Sequence, residues 1–163
     1  MEGENIIITG ANRGIGKEFV KVFAEAGANI WACMRKENED FISWKSELEQ
    51  IHNVWIKTVC FDITDSESFD IGIKSILDEN IKIDVLINNA GISTVKLLNK
   101  SKLEEVKALF NVNYFSMLNM IQKISKKMVR QKSGVIINMG SIAGIEPQPG
   151  KIAYGSSKAA VLF

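Results

Sequence analysis

The sequence predicts a doubly wound α/β fold, a parallel sheet covered by helices on both faces, and three observations lead there. Short apolar runs of strand length alternate with longer segments of helical period. Those runs are continuously apolar, as strands buried on both faces are. The first run, moreover, passes directly into a glycine-rich turn and then a helix, "IIITGANRGIG" at positions 6–16.

The elements follow in order. Ile6–Thr9 reads as a first strand, and Gly14–Ala26 as a helix with Phe19, Val20 and Phe23 on one face, stopped by Gly27. Ile30–Met34 is a second strand, and Asp40–His52 an amphipathic helix carrying Phe41, Trp44 and Leu48. Val54–Phe61 is a third strand, after which Thr64 or Asp65 caps a helix running to about Glu79. Val85–Ile87 is a fourth strand, Lys102–Gln131 one long helix, and Val135–Met139 a fifth strand. A loop with both prolines precedes a last helix beginning near Ala153. Right-handed crossovers between such strands generate the doubly wound sheet. No internal repeat, low-complexity tract or linker divides residues 1–163, so a single domain is expected.

Composition narrows the function classes. Twenty basic and nineteen acidic side chains leave a net charge of +1, so no long-range field points to nucleic acid or an anionic membrane. The start "MEGEN" is acidic and unlike a signal peptide, and no segment approaches the ~20 apolar residues of a membrane span. Cys33 and Cys60 lie in apolar segments without metal spacing and read as buried free thiols. A cytoplasmic protein with no metal is expected.

The glycines carry the first chemical signal. Gly10 lets the chain turn sharply off the strand, while Gly14 and Gly16 remove side chains where backbone approaches a pyrophosphate or helix lies close on sheet. The spacing is G-x-x-x-G-x-G, and a plain tight turn is its bland explanation. A second signal is Tyr154 with Lys158, four residues apart and so on one helical face. A nearby ammonium favours the phenolate and brings a poor base toward working range. Alone, such a pair is commonplace on helix surfaces. Ser141 follows the fifth strand at the carboxyl edge of the sheet, where a hydroxyl can donate to a substrate carbonyl.

Several short motifs stand in one order: "TGANRGIG" at 9–16, "FDIT" at 61–64, "NNAG" at 88–91, "NVN" ending at Asn113, "GS" at 140–141 and "YGSSK" at 154–158. Together they resemble the short-chain dehydrogenase/reductases over the whole chain. The resemblance implies a Rossmann-like domain that binds a nicotinamide dinucleotide. It implies that Tyr154 is the general acid in carbonyl reduction, that Ser141 polarises the carbonyl, and that Lys158 holds the nicotinamide ribose and tunes Tyr154. It further implies that Asn113 anchors a water in a proton relay, against the bland reading of a helix asparagine bonded to backbone. Gly10, Asn12, Arg13, Gly14, Ile15 and Gly16 would cradle the pyrophosphate. Asn89, Ala90 and Gly91 would run beside the cofactor, and Asn88 would brace the central sheet. Asp62 and Ile63 would flank the adenine, although Asp62 serves equally well as a helix cap.

Cofactor choice turns on the end of the second strand, where a carboxylate suits NAD and arginine suits the 2′-phosphate of NADP. Arg35 is the first charged residue there, no carboxylate comes before Glu37, and Arg13 offers a second guanidinium. NADP(H) is therefore favoured over NAD(H), with a solvated loop start at Arg35 and Lys36 as the bland alternative.

The remaining tempting residues have packing explanations. His52 reads as a helix-terminal residue, and Trp31, Trp44 and Trp55 as core. Met117, Met120 and Met128 belong either to the core or, as the resemblance allows, to a dimer contact along the long helix. The basic run 123–132 reads as a solvated helix end. Members of the family continue into further strands and a substrate lid, so the resemblance implies that these residues are a fragment of a longer enzyme, a homo-oligomer (dimer or tetramer). The expected fifth strand "VIIN" is then left with an open apolar edge.

The expected function is reduction of a carbonyl, or oxidation of a secondary alcohol, by hydride exchange with NADP(H). The wording of "TGANRGIG", "NNAGIS" and "INMGSIAG" resembles the 3-oxoacyl-thioester reductases of the family most nearly, which implies an acyl carrier protein-linked substrate. The alternative is a non-catalytic dinucleotide-binding fragment acting as a sensor or partner subunit.

Overall fold

The computed structural model describes residues 1–162. Its strands are β1 (Asn5–Thr9), β2 (Asn29–Met34), β3 (Ile56–Cys60), β4 (Val85–Asn88) and β5 (Val135–Asn138), all parallel in the order β3-β2-β1-β4-β5. The helices are α1 (Gly14–Glu25), α2 (Glu39–His52), α3 (Ser66–Asp78), α4 (Leu103–Phe110), α5 (Ser116–Gln131) and α6 (Ile152–Ala160). This is the doubly wound, Rossmann-like sheet expected from the sequence.

β1 explains why its strand reads as an unbroken isoleucine run. Ile6 and Ile8 face a cluster with Val20 and Ala24 of α1 and Phe41 and Leu48 of α2. Ile7 faces the opposite cluster with Trp31, Phe69, Ile73, Met120 and Ile124. All three isoleucines are fully buried, because period-2 alternation sends successive side chains into different cores.

Several expectations are refined. The long helix over 102–131 is interrupted by one π-turn at Asn111–Phe115, where Ser116 bonds the Asn111 carbonyl with its backbone N–H and, at 2.6 Å, its hydroxyl. Met117, Met120 and Met128 lie in this chain's own core. Trp31 is fully buried, Trp55 packs edge-on against it at 4.8 Å, and Trp44 lies 5.3 Å from Phe41. Asp65 is the cap of α3, accepting from the Ser68 N–H at 2.7 Å. Cys33 is buried, but Cys60 is exposed, contrary to the expectation of two buried thiols. Cys60 ends β3, an edge strand with incomplete cover. β5 is the other edge, and Val135 and Ile137 are exposed on it.

β1 leads to β2 on one side and pairs with β4 on the other. The connections after these two strands therefore leave in opposite directions, which opens a crevice at their carboxyl ends. Gly10 follows β1 and Asn89–Gly91 follow β4, so both motifs sit at that crevice.

Gly16 holds α1 against this edge. A Cβ there would lie 2.1 Å from the Gly10 carbonyl oxygen and 2.5 Å from Asn89 Nδ2. Gly16→Ala should destabilise the fold by about 1–3 kcal/mol, because backbone must shift to admit the methyl. Urea unfolding checks this, and an unchanged midpoint would show that the contact is easily relieved.

Candidate active site

The glycine turn divides its work three ways. Gly10 and Gly14 adopt the left-handed region, with φ of +67° and +54°, where side chains are disfavoured. A Cβ at Gly14 would meet nothing within 4 Å, so this position opens onto free space. Gly16 alone is required for close helix–sheet packing. Asn12 is half-buried in the turn, whereas Arg13 and Ile15 are exposed at its rim.

α1 begins without a side-chain cap and without an acidic residue in its first turn. α2 and α3 differ: Asn38 and Asp65 cap them, and Glu39, Asp40 and Glu67 complement their dipoles. The first N–H groups and positive end of α1 are thus left for an anion at the crevice.

β4 supplies the floor. Thr9 Oγ1 accepts from the N–H groups of Asn89 and Ala90, each at 3.0 Å, while Asn89 Nδ2 donates to the carbonyls of Thr9 and Gly10 at 3.0 and 3.3 Å. The Asn89 side-chain amide nitrogen is therefore spent on bracing the turn. Asn88 Nδ2 donates to Asn138 Oδ1 at 2.9 Å, tying β4 to β5 as the bracing role requires.

At the second strand's end, Arg35 is exposed, and among the described residues neither it nor Arg13 has a carboxylate at ion-pair distance. Glu37, the first carboxylate after β2, is hydrogen-bonded to the Thr58 hydroxyl on β3. Asp62 accepts from the Thr64 hydroxyl and N–H at 2.7 and 2.8 Å. These bonds, with the Arg35 charge, hold its carboxyl below the usual range. Asp62 closes its own turn and does not cap α3. Ile63 is half-buried against the Phe61 and Phe69 cluster.

The residues expected to handle the proton lie on the other side. Asn113 lies in the π-turn, 2% exposed; its Oδ1 accepts from the Ile92 N–H at 2.8 Å and its Nδ2 donates to the Ile92 carbonyl at 2.9 Å. Its backbone partner is thus across the site and not within its own helix. A Cβ added to Gly91 would stand 3.3 Å from Asn113 Oδ1 and 3.6 Å from Lys158 Nζ, so these three groups converge. Lys158 is buried and donates to the Met139 carbonyl at 2.6 Å. Ser141 Oγ accepts from the Ala143 N–H at 3.2 Å, which leaves its own O–H free to donate. Tyr154 is half-buried, and among the described residues its hydroxyl has no hydrogen-bond partner.

Two glycines that the sequence reading passed over bring Ser141 to α6. A Cβ on Gly155 would lie 2.5 Å from the Ala143 carbonyl oxygen, and one on Gly144 would lie 2.8 Å from the Ala159 nitrogen. The turn Ile142–Gly144 thus rests directly on the helix carrying Tyr154 and Lys158. A glycine inside a helix, costly relative to alanine, was the available signal for Gly155.

Burial lowers the Lys158 pKa from its ordinary value. The folded state therefore holds this proton less tightly than the unfolded chain. The resulting penalty is present at neutral pH and is relieved as pH rises through the lowered value toward 10.5. Lys158→Met removes this penalty and should therefore raise Tm near pH 7 relative to the unsubstituted chain. The advantage should shrink in alkaline buffer, and thermal unfolding at both pH values checks the sign.

The chain is 36% identical over 163 residues to a 3-oxoacyl-[acyl-carrier-protein] reductase of Thermotoga maritima, covering 99% of this chain and 65% of that protein. The Vibrio cholerae reductase of the same name is 30% identical over 167 residues, with 99% and 64% covered. The crystal structure of a bulky-bulky ketone specific alcohol dehydrogenase from Comamonas testosteroni superposes with a TM-score of 0.89 at 27% identity, covering 100% of this chain and 65% of that one. The chain thus spans just under two thirds of the length of these relatives. The short chain dehydrogenase family model matches residues 4–162, and the chain belongs to that family.

Proposed function

We propose that this chain binds NADP(H) across the β1/β4 crevice and carries the proton-transfer residues of a carbonyl reductase. The observation that carries the reading is the placement on one sheet edge of an uncapped helix N-terminus and a buried lysine ammonium, the lysine on the helix of a tyrosine whose hydroxyl has no partner among the described residues. That donor set fits a dinucleotide: backbone N–H groups for the pyrophosphate and a cation for the ribose hydroxyls. Gly10, Asn12, Arg13, Gly14, Ile15 and Gly16 would hold the phosphates, with Asn89, Ala90 and Gly91 alongside and Lys158 at the nicotinamide ribose. Asp62 and Ile63 would border the adenine. When bound, the cofactor supplies or accepts the hydride.

The chain's own residues manage the proton. In reduction, the Tyr154 hydroxyl gives its proton to the carbonyl oxygen, and in oxidation the phenolate takes one back. The free O–H of Ser141 donates to the same oxygen and stabilises the charge developing there. The Lys158 ammonium favours the phenolate and returns Tyr154 to service. Both hydrogens of Asn113 Nδ2 are already committed, so a relay water would bond to its carbonyl groups.

Arg13 and Arg35, unpaired among the described residues, favour the 2′-phosphate of NADP(H), with Glu37 held by Thr58. The names of the relatives point to a 3-oxoacyl thioester on acyl carrier protein as the substrate. Oligomerisation in the manner of a dimer or tetramer is part of the same proposal.

Two experiments test it. Arg35→Asp should weaken NADPH binding roughly tenfold or more while NADH binding changes less, as expected for loss of a charge-assisted bond. An unmoved NADPH-to-NADH ratio would remove Arg35 from the argument. Tyr154→Phe should slow NADPH oxidation with a 3-oxoacyl thioester by about 100-fold or more while leaving NADPH affinity nearly intact. Equal rates for the two proteins would sink the catalytic role.

A further inference from the structure

Ser157 lies between Tyr154 and Lys158 and is completely buried. Its hydroxyl donates to the Tyr154 carbonyl at 2.7 Å, a local bond open to any helical serine. Its second bond is not local. Asn113 Nδ2, 44 positions away in sequence, donates to the same oxygen at 2.9 Å. Asn113 spends its remaining amide hydrogen and its Oδ1 on the two backbone groups of Ile92. A continuous chain of hydrogen bonds, buried at its Asn113–Ser157 link, thus runs from the backbone after β4, through the π-turn, to the first turn of α6.

We propose that Ser157 is a positioning residue, which clamps the Tyr154–Lys158 helix to Asn113 and through it to the Gly91–Ile92 backbone. The physical need is direction. At Gly144 and Gly155, α6 touches the Ser141 turn backbone to backbone. Contact of that kind sets a distance but leaves rotation and sliding cheap, whereas a hydrogen bond penalises both. With the bond in place, the proton-transfer face and the cofactor-side backbone keep one geometry. The inference rests on the proposed function for its purpose, but the coupling itself belongs to the free chain.

Amide hydrogen exchange of the unliganded chain tests it residue by residue. Ser157→Ala leaves a buried Asn113 hydrogen unpaired, so exchange at the Ile92 N–H should accelerate roughly tenfold. The Ile7 and Ile30 amides in the sheet should keep their rates. Ser157→Cys, close in size with a weaker donor and acceptor, should fall between, and it provides the same comparison if the alanine variant fails to fold. An unchanged Ile92 rate overturns the clamp, and so does equal acceleration of all three amides, the signature of a general stability loss. NADPH titration of the unsubstituted chain separates the two ideas. Absence of binding would sink the functional reading and the purpose given to Ser157, while an Ile92 amide indifferent to Ser157→Ala would sink the clamp alone.

Discussion

Burial of β1 on both faces constrains everything built around it. A strand covered on each side must be followed by connections that cross above and below the sheet, and right-handed crossovers then place β2 and β4 on its two flanks. The chain leaves the carboxyl ends of β1 and β4 in opposite directions, and the crevice appears without any residue being chosen for a ligand. The glycines make that crevice usable. Gly16 brings α1 close enough for its uncapped end to sit at the edge, and the Thr9–Asn89 bonds lock the two loops that border it.

The far side of the site depends on polar groups held in a dry interior. Asn113, Ser157 and Lys158 are all buried, and each has hydrogen-bonding partners among backbone or neighbouring side chains. Partners that point in fixed directions specify one arrangement where apolar packing would accept several. Lys158 is the least comfortable of the three, a buried ammonium with a single carbonyl acceptor. A discharged or more solvated lysine would be better for stability but worse for the proposed tuning of a phenol. Asn88 shows the same tension, because its buried Oδ1 has no partner among the described residues while its amide holds β5.

Much of this was legible in the residues. Alternating apolar runs and helical segments announced the strands and helices in order, and the ends differ by one or two residues except at the π-turn. Tyr154 and Lys158 were readable as a pair because helix spacing is local. The glycine turn was readable as a motif, but the separate duties of Gly14 and Gly16 were not. What a Cβ would strike at position 16 is the Gly10 carbonyl and the Asn89 amide, and the latter arrives from a distant strand. Asp62 stood between two roles until its bonds to Thr64 showed that it closes a turn, and Cys60 looked buried because its apolar neighbours gave no hint that β3 is an edge.

By itself, then, the sequence determined the fold class, the strand–turn–helix at the start and the spacing of Tyr154 and Lys158, since each is written in periodicities of a few residues. Only the tertiary structure decided that Gly91, Asn113 and Lys158 converge, that the Ser141 turn rests on α6 through two glycines, and that Ser157 joins helix to π-turn. Those contacts link positions tens of residues apart, and they exist only because a shared sheet and its core bring β4, the π-turn and α6 to one edge.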